Sequence, residues 1–254
     1  MPTTSSGLAT STISARVTDP PLELFITDKA FRPNPTTVRF ARTVPIRKGD
    51  VVFDIGTGVA PLALKCALDG ARQVIGVDPV RMHCELARMN VAKYNLEDTV
   101  TILEGNFFEP IDNDPELRDL KADVIIGDVS GIADPIARAL GWYSDEVPTG
   151  GEDGTEVIID FLKSAASYLA PNGAIYFPIA VDLSDSPKIL DAARAIYAEL
   201  VLAIDRPAYF FPLSEVELRA IDEVYDGKLP GWLNIQTERR PSWRGQIWRV
   251  SSPR

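Results

Sequence analysis

Four short stretches hold the residue types that chemistry needs. Val52-Phe53-Asp54-Ile55-Gly56-Thr57-Gly58-Val59-Ala60-Pro61 joins an apolar run to a helical pattern. Glycines there remove Cβ atoms, so the backbone can turn sharply and pass close to a ligand. A lone Gly-x-Gly is weak evidence, and a tight turn explains it too. Asp78 ends the next apolar run. A carboxylate at that place can accept the hydroxyls of a ribose, or cap the helix after it. Glu104-Gly105-Asn106-Phe107-Phe108 comes after the third run. Asn106 is a candidate to bond an adenine amine and Phe107 to pack on the ring, with a plain loop as the competing reading. Asp128-Val129-Ser130-Gly131 comes after the fourth. Asp128, acceptor-only when ionised, suits a cationic amine, by charge pairing or by drawing off a proton. Ser130 is a candidate to assist it.

These stretches need strand ends to hold them, and the pattern supplies strands. Apolar runs at 51–55, 73–77, 100–103, 123–127 and 174–180 read as buried parallel strands. Helices alternate with them at 61–69, 80–95, 155–169 and 187–200, the second with Met82, Leu86 and Met89 on one face. Pro171-Asn172-Gly173 reads as a turn. Beyond lie an expected strand at 201–204, the aromatic Tyr209-Phe210-Phe211, a helix at 214–224 and a strand at 246–250. This alternation predicts an α/β fold with a doubly wound, mostly parallel sheet, which binds ligands at the carboxyl ends of its strands. Residues 1–20 read as a disordered or lid-like tail and 21–254 as a single domain, with a short helix expected at 36–43 in a Pro-marked entry.

Composition narrows the classes. The chain has 254 residues, 45% of them hydrophobic and 24% charged, with a net charge of −10. Nucleic acid is disfavoured as a partner, because phosphates call for a cationic face. The one basic cluster, Arg239, Arg240, Arg244, Arg249 and Arg254, reads as solvated surface. No run approaches the roughly 20 apolar residues of a membrane span, and no secretory pattern opens the chain, so a cytoplasmic location is expected. Two cysteines make no disulfide framework. His83, the single histidine, leaves no material for a His-rich metal site or a Ser-His-Asp triad, and it reads as a helix surface residue. No metal is expected.

Taken together, the strand ends resemble the class I S-adenosylmethionine-dependent methyltransferases over residues 50–182. The resemblance implies a Rossmann-like, seven-stranded sheet and S-adenosylmethionine as cofactor. It implies that Asp54, Gly56 and Gly58 line the methionine end, that Pro61 completes the loop, that Asp78 with Pro79 holds the ribose, and that Asn106 contacts adenine. A nicotinamide dehydrogenase is the rival, and the third glycine it needs is missing. Phe31-Arg32-Pro33-Asn34-Pro35-Thr36-Thr37 and Gly150-Gly151-Glu152-Asp153-Gly154 are similar to the release-factor glutamine N5-methyltransferases. That family carries Asn-Pro-Pro-Tyr where this chain has Asp128-Val129-Ser130-Gly131. The change puts activity on a glutamine amide in doubt.

Two reactions are expected. One is methyl transfer to an amine or carboxylate of a small metabolite, with Asp128 placing or deprotonating the nucleophile. The other resembles the azetidine-2-carboxylate synthases, in which S-adenosylmethionine closes on itself and expels methylthioadenosine. Phe31, Pro33, Trp142 and Tyr176 are candidates to surround the substrate or to steady a sulfonium by cation–π contact, with core packing as the alternative for the aromatics. A third reading is a non-catalytic partner subunit that keeps the fold. A small-molecule partner is expected, and a homodimer is left open.

Overall fold

The computed structural model describes residues 7, 9–142, 147, 149–204, 208–235 and 240–254. Two compact units are distinguished, Met1–Asp128 with Ser167–Tyr176, and Val129–Ala166 with Phe177–Arg254. Sequence patterning reads the same stretch as one domain.

The first unit opens with a hairpin. Strands β1 (Ser11–Ala15) and β2 (Leu22–Ile26) pair antiparallel, with Leu22, Leu24 and Ile26 alternating inward. This revises the tail reading for 11–15: that stretch finds a partner in β2 for its backbone groups. Residues 1–6 and 8 lie outside the described residues. Helix α1 (Pro35–Thr43) starts on Asn34, whose side chain accepts from the Thr36 and Thr37 amides. The alternation then runs β3 (Val51–Ile55), α2 (Pro61–Leu68), β4 (Gln73–Asp78), α3 (Arg81–Lys93), β5 (Val100–Glu104), the short α4 (Glu109–Asp112), β6 (Ala122–Gly127) and β7 (Leu169–Ala180). The strand order is β5-β4-β3-β6-β7, and every pair is parallel. Every residue of β3 is buried, as expected of a central parallel strand.

Two local readings change here. Pro171-Asn172-Gly173 is no turn but part of β7, as an irregularity: Ala122 pairs with Leu169, while Val124 pairs with Ala174. A Cβ on Gly173 would stand 2.8 Å from the Ala122 carbonyl oxygen, so the bulge needs glycine. On α3 the buried residues are His83, Cys84, Leu86, Ala87, Asn90 and Val91, while Met82 and Met89 are half-buried. His83 is therefore an interior residue. Polar partners inside the fold satisfy His83, which the sequence reading placed on the helix surface, and Asn90.

The second unit contains α5 (Asp134–Ala139), α6 (Glu156–Ala165), the rest of β7, α7 (Ser186–Ile196), β8 (Tyr197–Leu202), β9 (Tyr209–Pro212), α8 (Glu215–Val224) and β10 (Ser242–Pro253). The order is β7-β10-β8, with β9 also on β10, and β10 runs antiparallel to both β8 and β9. The helix expected to reach residue 200 stops at Ile196 because β10 captures the next residues as a strand, Tyr197 opposite Pro253 and Leu200 opposite Val250. Part of the basic C-terminal cluster is tied into the fold, while Arg240 and Arg254 are exposed. Arg244 pairs with the fully buried Asp182, Arg249 meets Glu199, and Arg254 donates to the Tyr197 carbonyl. Arg239 lies outside the described residues. No helix among the described residues is long and apolar enough to cross a membrane.

Candidate functional site

The parallel strands β5, β4, β3 and β6 end side by side, and each end carries one of the sequence motifs. The β3–α2 loop is wound tightly. Gly56 has φ +79°, Gly58 φ +55° and Ala60 φ +67°. For Ala60 that left-handed conformation costs energy, which the surrounding structure must offset. The Gly56 and Thr57 amides both donate to the Val77 carbonyl at the end of β4. Gly76 lets the loop in, since a Cβ there would stand 3.0 Å from the Thr57 hydroxyl. At Gly58 a Cβ would meet nothing, because that residue faces open space.

That space is a cleft lined by Phe31, Pro33, Thr37, Asp54, Gly56, Thr57, Gly58, Val59, Pro61, Leu62 and Asp128. Seven residues singled out in the sequence are thus brought together: Phe31, Pro33, Asp54, Gly56, Gly58, Pro61 and Asp128. Thr37 and Thr57 were missed, although both sit inside motifs already noted. Each bonds a carboxylate. The Thr57 hydroxyl donates to Asp54 Oδ2 at 2.7 Å, and the Thr37 hydroxyl donates to Asp128 Oδ2 at 3.0 Å.

Those two carboxylates set the electrostatics. Asp54 is 1% exposed, and its Oδ1 is buried without a hydrogen-bond partner among the described residues. Burial pushes its pKa up to about 7; the Thr57 hydroxyl and the Ala63 backbone N–H oppose this, and the charges of Asp128 and Asp78 add to it. Asp128 is half-buried and closely surrounded, and burial raises its pKa to about 6 against the Thr37 hydrogen bond. Two acids this hard to ionise, one with an orphaned oxygen, fit a ligand that brings positive charge and N–H donors. The ammonium of S-adenosylmethionine would satisfy that demand at Asp54, and Asp128 lines the same cleft.

The other predicted residues are placed differently. Asp78 does not line the cleft but closes onto its loop, its Oδ2 accepting from the Gly58 amide at 2.9 Å. Pro79 and Asn106 are exposed and Phe107 is half-buried, with the strained φ of +44° at Phe107. Phe108 is the buried ring of that pair, stacked on Tyr168 at 4.2 Å. Tyr176 is buried on β7 opposite Ile126 and does not line the cleft. Trp142 packs in the core cluster of the second unit, 6.1 Å from Trp243, with a hydrogen bond to Glu217. Both aromatics therefore take the packing role. Ser130 has a buried hydroxyl without a partner among the described residues.

A family profile described as ribosomal protein L11 methyltransferase (PrmA) matches residues 37–174, more than half of the chain and all four motifs. The chain belongs to the PrmA family of methyltransferases. Among individual relatives, the ribosomal protein L11 methyltransferase of Anoxybacillus flavithermus is 32% identical over 98 residues, 38% of this chain and 29% of that protein. The release factor glutamine methyltransferase of Thermosynechococcus vestitus is 27% identical over 197 residues, 72% of this chain and 66% of that protein. The matched region thus spans less than two thirds of either relative. In fold, the ribosomal protein L11 methylase of Lactobacillus delbrueckii subsp. bulgaricus superimposes with a TM-score of 0.52 at 18% identity, over 86% of this chain and 80% of that one. This PrmA-family sheet is accordingly the Rossmann-like, mostly parallel sheet of the S-adenosylmethionine-dependent methyltransferases. One expectation is overturned. A small-molecule partner was expected with the altered Asp128-Val129-Ser130-Gly131 motif, but the family and these relatives are named for protein substrates.

Proposed function

We propose that this chain transfers a methyl group from S-adenosylmethionine to an amino nitrogen of a protein. The observation that carries the reading is Asp128. It stands at the end of β6 in the same cleft as Asp54, Gly56 and Gly58, held by the Thr37 hydroxyl. With a pKa of about 6 it is mostly ionised at neutral pH, and then it can only accept. An amine or ammonium supplies protons to such a group. A neutral amide is better served by a residue that both donates and accepts.

S-adenosylmethionine supplies an electrophilic methyl group on a sulfonium. What remains for the protein is to place a nitrogen in line and to exclude water. Asp54 and the Gly56–Gly58 backbone would hold the methionine end. Asp78 and Asn106 at the neighbouring strand ends would hold the adenosine. Asp128 would take a hydrogen bond, then a proton, from the incoming nitrogen, leaving its lone pair free to attack. The relatives' names support a protein as acceptor, and nothing in the comparisons supports the azetidine-forming alternative.

Incubating the chain with methyl-labelled S-adenosylmethionine and either ribosomal protein L11 or a release factor tests this. Label on a lysine or N-terminal amine is expected, and peptide mass spectrometry locates it. Label on a glutamine amide would overturn the assignment of Asp128. D128N should keep cofactor affinity within about threefold yet lower turnover about a hundredfold or more. Unchanged turnover removes Asp128 from the chemistry.

A further inference from the structure

The one histidine sits between two parts of the site that are far apart in sequence. His83 is 3% exposed on α3. The Phe31 amide donates to its Nε2 at 3.2 Å, and its Nδ1 lies 3.0 Å from Asp78 Oδ1. A backbone N–H can only donate, so Nε2 must be the acceptor, and the ring proton is on Nδ1, aimed at Asp78. That assigns the tautomer without ambiguity.

The consequence falls on Asp78. An ionised carboxylate offers about four lone pairs. Oδ1 takes the Val80 amide at 2.9 Å and the His83 Nδ1–H, and Oδ2 takes the Gly58 amide. One acceptor position is left, on Oδ2, the oxygen that also holds the glycine loop of the cleft. A second α3 residue works alongside. Asn90, 0% exposed, accepts from the Phe25 amide at 2.6 Å and donates to the Phe25 and Val59 carbonyls. Positions 83 and 90 share one helix face. Through them α3 grips residues 25–31 on one side and the cleft loop on the other.

We propose that His83 is a positioning residue for cofactor binding. It orients Asp78 so that Oδ1 is filled and Oδ2 holds the glycine loop of the cleft with one acceptor position to spare, and it fixes the Phe31 wall of the cleft to that same carboxylate. The inference rests on S-adenosylmethionine being the ligand of the cleft.

Calorimetric titration of the full chain with S-adenosylmethionine tests it. H83L, which removes both bonds, should weaken binding about tenfold or more. H83N keeps a donor toward Asp78 and H83Q an acceptor toward Phe31, so each should fall between H83L and the parent. In a D78A background H83L should cost less than about threefold, because the bond it acts through is gone. A residue that merely fills the core would weaken binding equally in both backgrounds, and that result overturns the inference. So does H83L binding like the parent. If H83L does not fold, H83N and H83Q carry the test, and parent-like affinity in both overturns it. A parent chain that gives no binding heat overturns the cofactor reading itself, which is distinct from an unchanged variant.

Discussion

Asp54 and Asp182 are the same residue at the same depth, 1% and 0% exposed, in different units of the molecule. Asp182 is saturated. Arg244 reaches it with Nε and a terminal nitrogen at 2.6–3.1 Å, and the Arg244 backbone amide adds a bond at 2.7 Å. Asp54 has one hydroxyl on Oδ2 and nothing on Oδ1 among the described residues. A protein gains nothing in stability by burying a carboxylate with one oxygen unsatisfied beside two other acids. The contrast separates a carboxylate that closes a structure from one held open for a ligand.

The strongest way to break the contrast is to unpair Asp182. R244M should destabilise the chain by about 3–5 kcal/mol in urea unfolding, because a buried charge loses its partner. A loss under about 1 kcal/mol would mean that Asp182 is not closed by Arg244. The converse variant is D54N. Its unliganded stability at pH 8 should equal or exceed the parent's, while S-adenosylmethionine affinity should drop about thirtyfold or more. If D54N unfolds as easily as R244M, Asp54 is structural and the comparison fails.

pH sharpens it further. Asp54 and Asp128 carry folded pKa values of about 7 and about 6 against an ordinary 3.8. Between 3.8 and 7 the folded state therefore holds more protons than the unfolded one, and this part of the stability is lost as pH rises through that window. Thermal melts of the unliganded parent should fall from pH 5 to pH 8 more steeply than those of D54N. The stabilisation given by S-adenosylmethionine should be larger at pH 8. A parent and D54N with parallel slopes would contradict this. The smallest effect is expected at Thr37, whose hydrogen bond lowers the Asp128 pKa. In T37V the acidic limb of the pH–rate profile should move up, with activity at pH 7 reduced about threefold and T37S restoring it.

The strand–loop–helix order and the residues at strand ends were legible in sequence. Asp54, Asp78, Asn106 and Asp128 each stand at or just past the end of an apolar run, and β3, β4, β5 and β6 end within one residue of where patterning placed them. His83 was not legible. Patterning puts Met82, Leu86 and Met89 on the inner face of α3, and the stripe is displaced because His83 and Asn90 find acceptors and donors on residues 25–31 and on the cleft loop. Trp142 and Tyr176 were left between ligand contact and core packing. Neither ring lines the cleft: Trp142 packs on the core of the second unit and Tyr176 is buried on β7.

The local sequence determined which elements form, because hydrophobic period, glycine at the turns and Asn34 at the α1 start act within a few residues. It also determined which carboxylates stand at strand ends. Only the tertiary structure decided which of them would be left unpaired. Pairing depends on partners such as Thr37 for Asp128, 91 positions away, Phe31 for His83, 52 away, and Arg244 for Asp182, 62 away. No local pattern encodes contacts at those separations, and burial, which sets the charge state of Asp54 and Asp128, exists only once the chain has closed around them.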